Sequence, residues 1–217
     1  LPVKTSNGKN MVLALDTGNA FYATTHKEVL ERVGLWPDGR NPQFVGRSYV
    51  ASGPVETWNF LLTDAKIFGV PVAKSVWSVI DLPSSSAQHD GTIGFGFLKH
   101  FNITIDLKRR KVRLENFSGK VIDDIEAEVG IAATYSASRK QMVIVRVTPN
   151  SPAEKAGVRE GDYLISIGSD DIFRSSYRSV RALLAGAEGS SVEIATSQAG
   201  QLRRLTLVRE LLVNRAV

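Results

Sequence analysis

Asp16 closes the apolar run Met11-Val12-Leu13-Ala14-Leu15 and is followed by Thr17 and Gly18, which puts a carboxylate on a short polar turn at the end of a strand. A second stretch, Asp90-Gly91-Thr92-Ile93-Gly94, follows at a separation that suits the closing of a small barrel. The strand fixes the carboxylate, the Thr17 hydroxyl can bond neighbouring backbone, and Gly18 lets another backbone approach. Two such carboxylates meeting at one water cannot both ionise and therefore share a proton. One then takes the water's proton while the other donates to a scissile carbonyl. The same residue types also make an ordinary hairpin turn, since Asp and Gly are common turn formers.

The elements that must hold this turn are legible in outline. Thr25-His26-Lys27-Glu28 has the spacing of a capping box, Val29, Leu30 and Val33 give a helical period, and Gly34 marks a stop. That spacing predicts a short helix with His26 exposed in its first turn. From Asn41 to Phe60, Gly46 and Gly53 bracket Tyr49-Val50, and Val55, Thr57, Asn59 and Leu61 alternate with other residues in the manner of a strand. Trp58 and Trp77 are expected in the packing of the barrel.

Residues Leu1 to Leu114 resemble the retropepsin-like aspartic proteases, specifically the bacterial single-lobe type. The resemblance rests on the opening strand Leu1 to Thr5, the Asn7-Gly8 turn, Leu13-Ala14-Leu15-Asp16-Thr17-Gly18, and the closing run Asp90 to Phe101 followed by Ile103-Thr104-Ile105-Asp106. It implies a β-barrel lobe with Asp16, Thr17 and Gly18 as the catalytic element, supported by Asn19, Ile93 and Gly94. Asn19 departs from the small residue usual at its position, and its amide is placed to bond the carboxylate. The hairpin with Gly46, Tyr49, Val50 and Gly53 resembles the family's flap, which closes over substrate. A lobe with one such Asp implies a partner lobe, from a homodimer or from sequence preceding Leu1, for which a signal peptide is the alternative content.

After Leu114 the chain turns polar and acidic through Glu115-Asn116-Phe117-Ser118-Gly119-Lys120 and Asp123 to Glu128, so a domain boundary is expected near Ser118, dividing 1–117 from 118–217. Val143 to Val147 reads as a strand. Ser151 then caps a short helix with Pro152 first, Glu154 third and Gly157 at its end, and Gly161-Asp162 turns into the strand Tyr163 to Ile167. This stretch resembles a PDZ domain of the kind found with bacterial proteases. The resemblance implies peptide capture by strand addition beside Val129-Gly130-Ile131, with Val180, Leu183 and Leu184 of a helix over Ser176 to Ala185 as the facing wall, the alternative for Val180 and Leu184 being that they fill the core. Glu128, just before the loop, opposes a terminal carboxylate and leaves internal peptides as an alternative.

The expected fold class is mainly β, a retropepsin-like acid protease β-barrel lobe plus a PDZ domain, itself a β-barrel with two helices. Net charge is +5, with Lys108-Arg109-Arg110-Lys111 as the dense basic run, placed as a hairpin tip rather than a nucleic-acid surface. No apolar run is long enough to cross a bilayer, no Cys is present, and His26, His89 and His100 lack metal-ligand spacing, so no metal or cofactor is expected. No GxSxG or GDSGG-like element accompanies His89-Asp90. The reading these signals support is an aspartic endopeptidase acting on protein or peptide substrates, located in the periplasm or otherwise outside the cytoplasm by family resemblance. The alternative is an inert, protease-like scaffold that binds peptides through its PDZ domain.

Overall fold

A computed structural model of the chain describes residues 1–37, 42–50, 53–82, 89–123 and 125–216. The chain divides into two compact units, the first comprising Leu1–Pro42, Gly46–Asp124 and Val213–Val217, the second Gln43–Val45 and Ile125–Leu212. The expected boundary near Ser118 is therefore displaced to Asp124, and the C-terminal residues return to the first unit. The polar turn at Asn116 to Lys120 marks the end of a hairpin strand, not the end of a unit. The Asn116 side chain accepts there from Ser118 N and Gly119 N at 3.0 and 2.8 Å.

Among the described residues the first unit forms a nine-stranded sheet. Its strands are β1 (Pro2–Lys4), β2 (Asn10–Val12), β3 (Ala14–Leu15), β4 (Ala23–His26), β5 (Gly46–Val50), β6 (Gly53–Ile67), β7 (Val70–Ile80), β8 (Gly91–Ile93) and, from the C-terminal return, β17 (Asn214–Arg215). They run in the order β2-β1-β6-β7-β4-β8-β3, with β5 and β17 also paired to β6. A separate hairpin joins β9 (Phe101–Asp106) to β10 (Lys111–Asn116). The basic run lies at its tip, where the Asp106 carboxylate accepts from Arg109 N at 2.8 Å and Arg109 Nη1 at 2.9 Å. The Arg109 backbone bond, ahead of its side-chain bond, holds the Asp106 carboxyl below its usual range.

The long β6–β7 hairpin turns through Phe68 and Gly69, both at positive φ (52° and 80°), as a two-residue hairpin turn matched to strand twist requires. On β6, Trp58, Phe60 and Leu62 are buried, together with Thr57 of the alternating set, while Val55, Asn59 and Leu61 of that set are half-buried. The buried face then changes to Ala65 and Ile67 past Asp64, which sits at φ 52°. A period-two pattern read across such a twist point assigns one end to the wrong face. Trp77 and Phe60 are fully buried, and Trp36 packs edge-on to Trp58 at 5.3 Å.

The first helix, α1 (Lys27–Arg32), forms without the expected capping box. Thr25 belongs to β4 and its hydroxyl donates to the Asp90 carbonyl at 2.6 Å, so His26 becomes the N-cap without a side-chain cap bond. His26 is half-buried, not an exposed first-turn residue, with Nδ1 2.7 Å from the Leu82 carbonyl. A four-residue helix, α2 (Phe95–Leu98), follows β8.

The second unit is a sheet in the order β11-β12-β13-β15-β16 among the described residues. Its strands are β11 (Ile131–Ser136), β12 (Gln141–Val147), β13 (Tyr163–Ile167), β15 (Ser191–Gln198) and β16 (Gln201–Val208), and β14 (Asp170–Asp171) pairs with β13. Two helices accompany it, α3 (Pro152–Lys155) and α4 (Tyr177–Leu184). Ser151 caps α3 by accepting from Glu154 N, and the Glu154 carboxylate accepts in return from Asn150 N at 2.7 Å. Val129, Ala133, Met142, Ile144, Leu164, Val180 and Leu184 lie in one core.

Candidate functional site

The Asp16 turn is built by the insertion of β8. Ala14 and Leu15 of β3 pair in parallel with Thr92 and Ile93, while β4 pairs antiparallel with the other side of β8. Asp16 N donates to Ile93 O at 3.0 Å and Gly94 N to Tyr22 O at 2.9 Å. Ile93 is fully buried, and a Cβ on Gly94 would stand 2.2 Å from Phe21 O. The Asp16 carboxylate accepts from Gly18 N at 2.9 Å, and its carbonyl accepts from Asn19 N at 3.2 Å. Thr17 and Gly18 are exposed. Asn19 turns away from the carboxylate: Nδ2 donates to Thr24 Oγ1 (3.0 Å) and Thr92 Oγ1 (2.8 Å), and Oδ1 accepts from Phe21 N (2.9 Å). Its amide therefore ties β4 to β8 and does not bond Asp16 as the sequence led us to expect. Asp90 accepts from Val12 N at 2.9 Å and pairs with Arg32 at 2.6 Å.

Gly46 to Val50 pair with Thr57 to Gly53 of β6 as an antiparallel hairpin, so Gly46, Tyr49, Val50 and Gly53 share one ladder. The tip at positions 51–52 lies outside the described residues.

The Ser118 hydroxyl lies 3.3 Å from His100 Nδ1, and His100 Nε2 donates to the Ile122 carbonyl at 2.9 Å. This resembles a nucleophile and its base only superficially. A hydroxyl has one proton, and the Lys120 carbonyl at 2.8 Å and Asn116 Oδ1 at 3.1 Å both compete for it. The pair closes the turn after β10.

In the second unit, β11 ends the sheet order and pairs with β12, while α4 packs beside it. Gly130, at φ 85°, is the entry to β11, and a Cβ there would stand 2.3 Å from the Ser151 Cβ. Only a glycine lets this loop lie against the capped start of α3. Val129, Val180 and Leu184 are core residues, 0%, 1% and 2% exposed, so the wall expected of Val180 and Leu184 is largely turned inward. Helix α4 is too short to offer a whole apolar stripe to a groove and also to close the core. Ile131 of β11 and Leu183 of α4, both half-buried, pack against the same core.

Arg181 had no part in the expected site. Its Nε donates to Glu128 Oε1 at 2.9 Å and its Nη2 lies 2.8 Å from the same oxygen. The Glu128 charge raises the Arg181 pKa against the opposing effect of burial. Glu128 drew attention as an acid before the loop, but a cation on a helix some fifty residues later meets it only through the fold.

A family model described as a PDZ domain matches residues 143–196. The second unit contains a PDZ domain. The chain is also similar to the chloroplastic C-terminal processing peptidase of Tetradesmus obliquus, 35% identical over 86 residues that make up 38% of this chain and 18% of the relative. Serine endoprotease DegS of Haemophilus influenzae is 26% identical over 175 residues, 76% of this chain and 48% of the relative. A solved structure of the HtrA-type protease AlgW with a decapeptide is 12% identical with a TM-score of 0.37, covering 97% of this chain and 74% of the other. The chain spans less than half the length of the two curated relatives.

These relatives overturn the aspartic endopeptidase. The proteins matched are C-terminal processing peptidases and serine proteases, and the retropepsin-like assignment of the first unit is not supported beyond a mainly β fold. The geometry supplies a physical reason for the misreading. The Asp16 carboxylate is engaged by the backbone of its own turn, and Asp90 is engaged by Arg32 and Val12, so both carboxylates of the two stretches have partners within the unit. The paired lobes and the closing flap were required only by that mechanism and are not carried further. The inert scaffold also fits these relatives less well than a role in proteolysis.

Proposed function

We propose that this chain recognises polypeptide segments for proteolysis, its PDZ unit holding an extended peptide by strand addition along β11. The observation that carries this reading is the flank of β11, which ends the sheet beside α4. An added strand would take main-chain hydrogen bonds there, with side chains alternating toward Ile131 and Leu183. The Gly130 loop at the start of β11 orients the first backbone groups of that edge. Support for the proteolytic context comes from the peptidase and protease names of the relatives. The partner is a protein or peptide, and a site of action outside the cytoplasm accompanies the proposal.

The test is an amide chemical-shift titration of the full chain with a pooled random decapeptide library. Shifts concentrated in residues 131–136 and 177–184 are expected. Shifts confined to other strands, or none at millimolar peptide, would refute strand addition at this edge.

A further inference from the structure

We propose that the ion pair between Glu128 and Arg181 makes this groove a reader of internal or neutral-ended peptide segments rather than of free C-terminal carboxylates. The inference rests on the reading of β11 and α4 as a peptide groove. Glu128 directly precedes Val129-Gly130-Ile131, the loop from which β11 starts. Its backbone is fixed on both sides of the amide. Glu128 N donates to Glu210 O and Glu210 N to Glu128 O, each at 3.0 Å, and Ala127 exchanges the same two bonds with Gly186. The carboxylate is thus projected from a rigid point beside the loop.

Arg181 of α4 reaches that carboxylate with two nitrogens converging on Oε1, at 2.9 and 2.8 Å. The Glu126 charge acts on the same guanidinium. A C-terminal carboxylate entering the loop would meet the Glu128 charge, while the cation that could compensate is already paired. Winning Arg181, whose side chain is 58% exposed, would require Glu128, 30% exposed, to give up a charge-assisted bond. An amide end or a continuing chain meets no such opposition. Lys155 of α3 is paired with Glu210 at 3.3 Å.

The experiment compares matched decapeptide pools made as free acids and as C-terminal amides, titrated into the full chain and into E128Q and R181Q, with β11 amide shifts as the readout. For the wild type, the amide pool is expected to bind about twofold or more tightly than the free-acid pool, the size of an exposed pair's effect. In E128Q the freed guanidinium, 58% exposed, should shift the ratio toward the free acid by up to about fivefold, the upper scale of an exposed ion pair. R181Q should move the ratio the other way, toward the amide, which keeps the inference testable should E128Q fold poorly. A wild-type ratio that does not favour the amide, or one that neither substitution moves, would overturn the ion-pair inference while leaving the groove intact. An absence of β11 shifts with both pools would overturn the groove itself, and the inference with it.

Discussion

Each unit carries a glycine where a loop meets a strand under close packing, and the two differ in how much surrounding sequence specifies them. Gly130 sits before β11 against Ser151, within a stretch where a cap, a Pro at the first helical position, a helix stop and a strand succeed one another. Gly94 follows β8 against the Phe21 carbonyl, in a region read from the triplet at Asp16 and the closing run Asp90 to Phe101, two stretches far apart in sequence. Several consecutive local signals that agree constrain a fold far more than two separated stretches do. Three residues can satisfy one another in a turn, as Asp16 and Gly18 do.

The largest effects expected from testing this contrast come from the two glycines. In G94A the new methyl would stand 2.2 Å from a backbone oxygen, which cannot rotate away. In G130A it would stand 2.3 Å from the Ser151 Cβ and hold φ at 85°. Each should destabilise its own unit by about 2–4 kcal/mol, the range of steric and strained-backbone substitutions. Hydrogen exchange read separately at β8 and β11 distinguishes the units. Loss of protection in both units from either single substitution would show that they unfold together, and the contrast would then concern one cooperative body.

Much of the second unit was readable from its residues. Ser151, Pro152, Glu154 and Gly157 delimit α3 through interactions between near neighbours. Helix α4 likewise falls within the span its apolar spacing indicates, with Ser176 as N-cap. What was not readable depended on partners distant in sequence. Thr25 fits a capping box until the Asp90 carbonyl takes its hydroxyl, and Asn19 fits a carboxylate's neighbour until Thr24 and Thr92 take its amide. The Arg181 pairing and the return of β17 to β6 are of the same kind. Val180 and Leu184 were found by period, which left open whether they line a groove or fill the core, because a period tells which residues share a face and not what covers that face.

A smaller effect is expected at Tyr22, which lies in the first unit edge-on to Phe97 at 5.8 Å. Its hydroxyl is buried without a hydrogen-bond partner among the described residues. Burial first, and the Asp123 charge second, raise its pKa above the ordinary tyrosine value. A raised pKa in the folded state means that the neutral form is favoured there. Stability should therefore be constant below about pH 10, the ordinary tyrosine value, and fall as pH rises past it. Y22F removes an unsatisfied polar atom at nearly constant shape, so it should stabilise the first unit by up to about 1 kcal/mol at neutral pH. It should also flatten the alkaline limb of the unfolding curve. A destabilised Y22F, or an unchanged alkaline limb, would place the origin of that loss elsewhere.

The smallest effect is expected at Asp16. D16N keeps an oxygen that can accept from Gly18 N and removes only a charge that is half-exposed. Stability should change by less than about 0.5 kcal/mol, as for surface substitutions that preserve their bonds. The same variant bears on the chemistry. If the chain serves proteolysis through its peptide groove, D16N should match the wild type in peptide binding at β11, and any cleavage of the decapeptide pool should be equal in the two proteins. Cleavage abolished by D16N with the fold intact would restore a chemical role to this carboxylate, because the substitution leaves the turn's hydrogen bond in place and changes only what an ionisable group can do. The small expected change in stability gives the comparison its force, since a large change in activity could not then be assigned to unfolding.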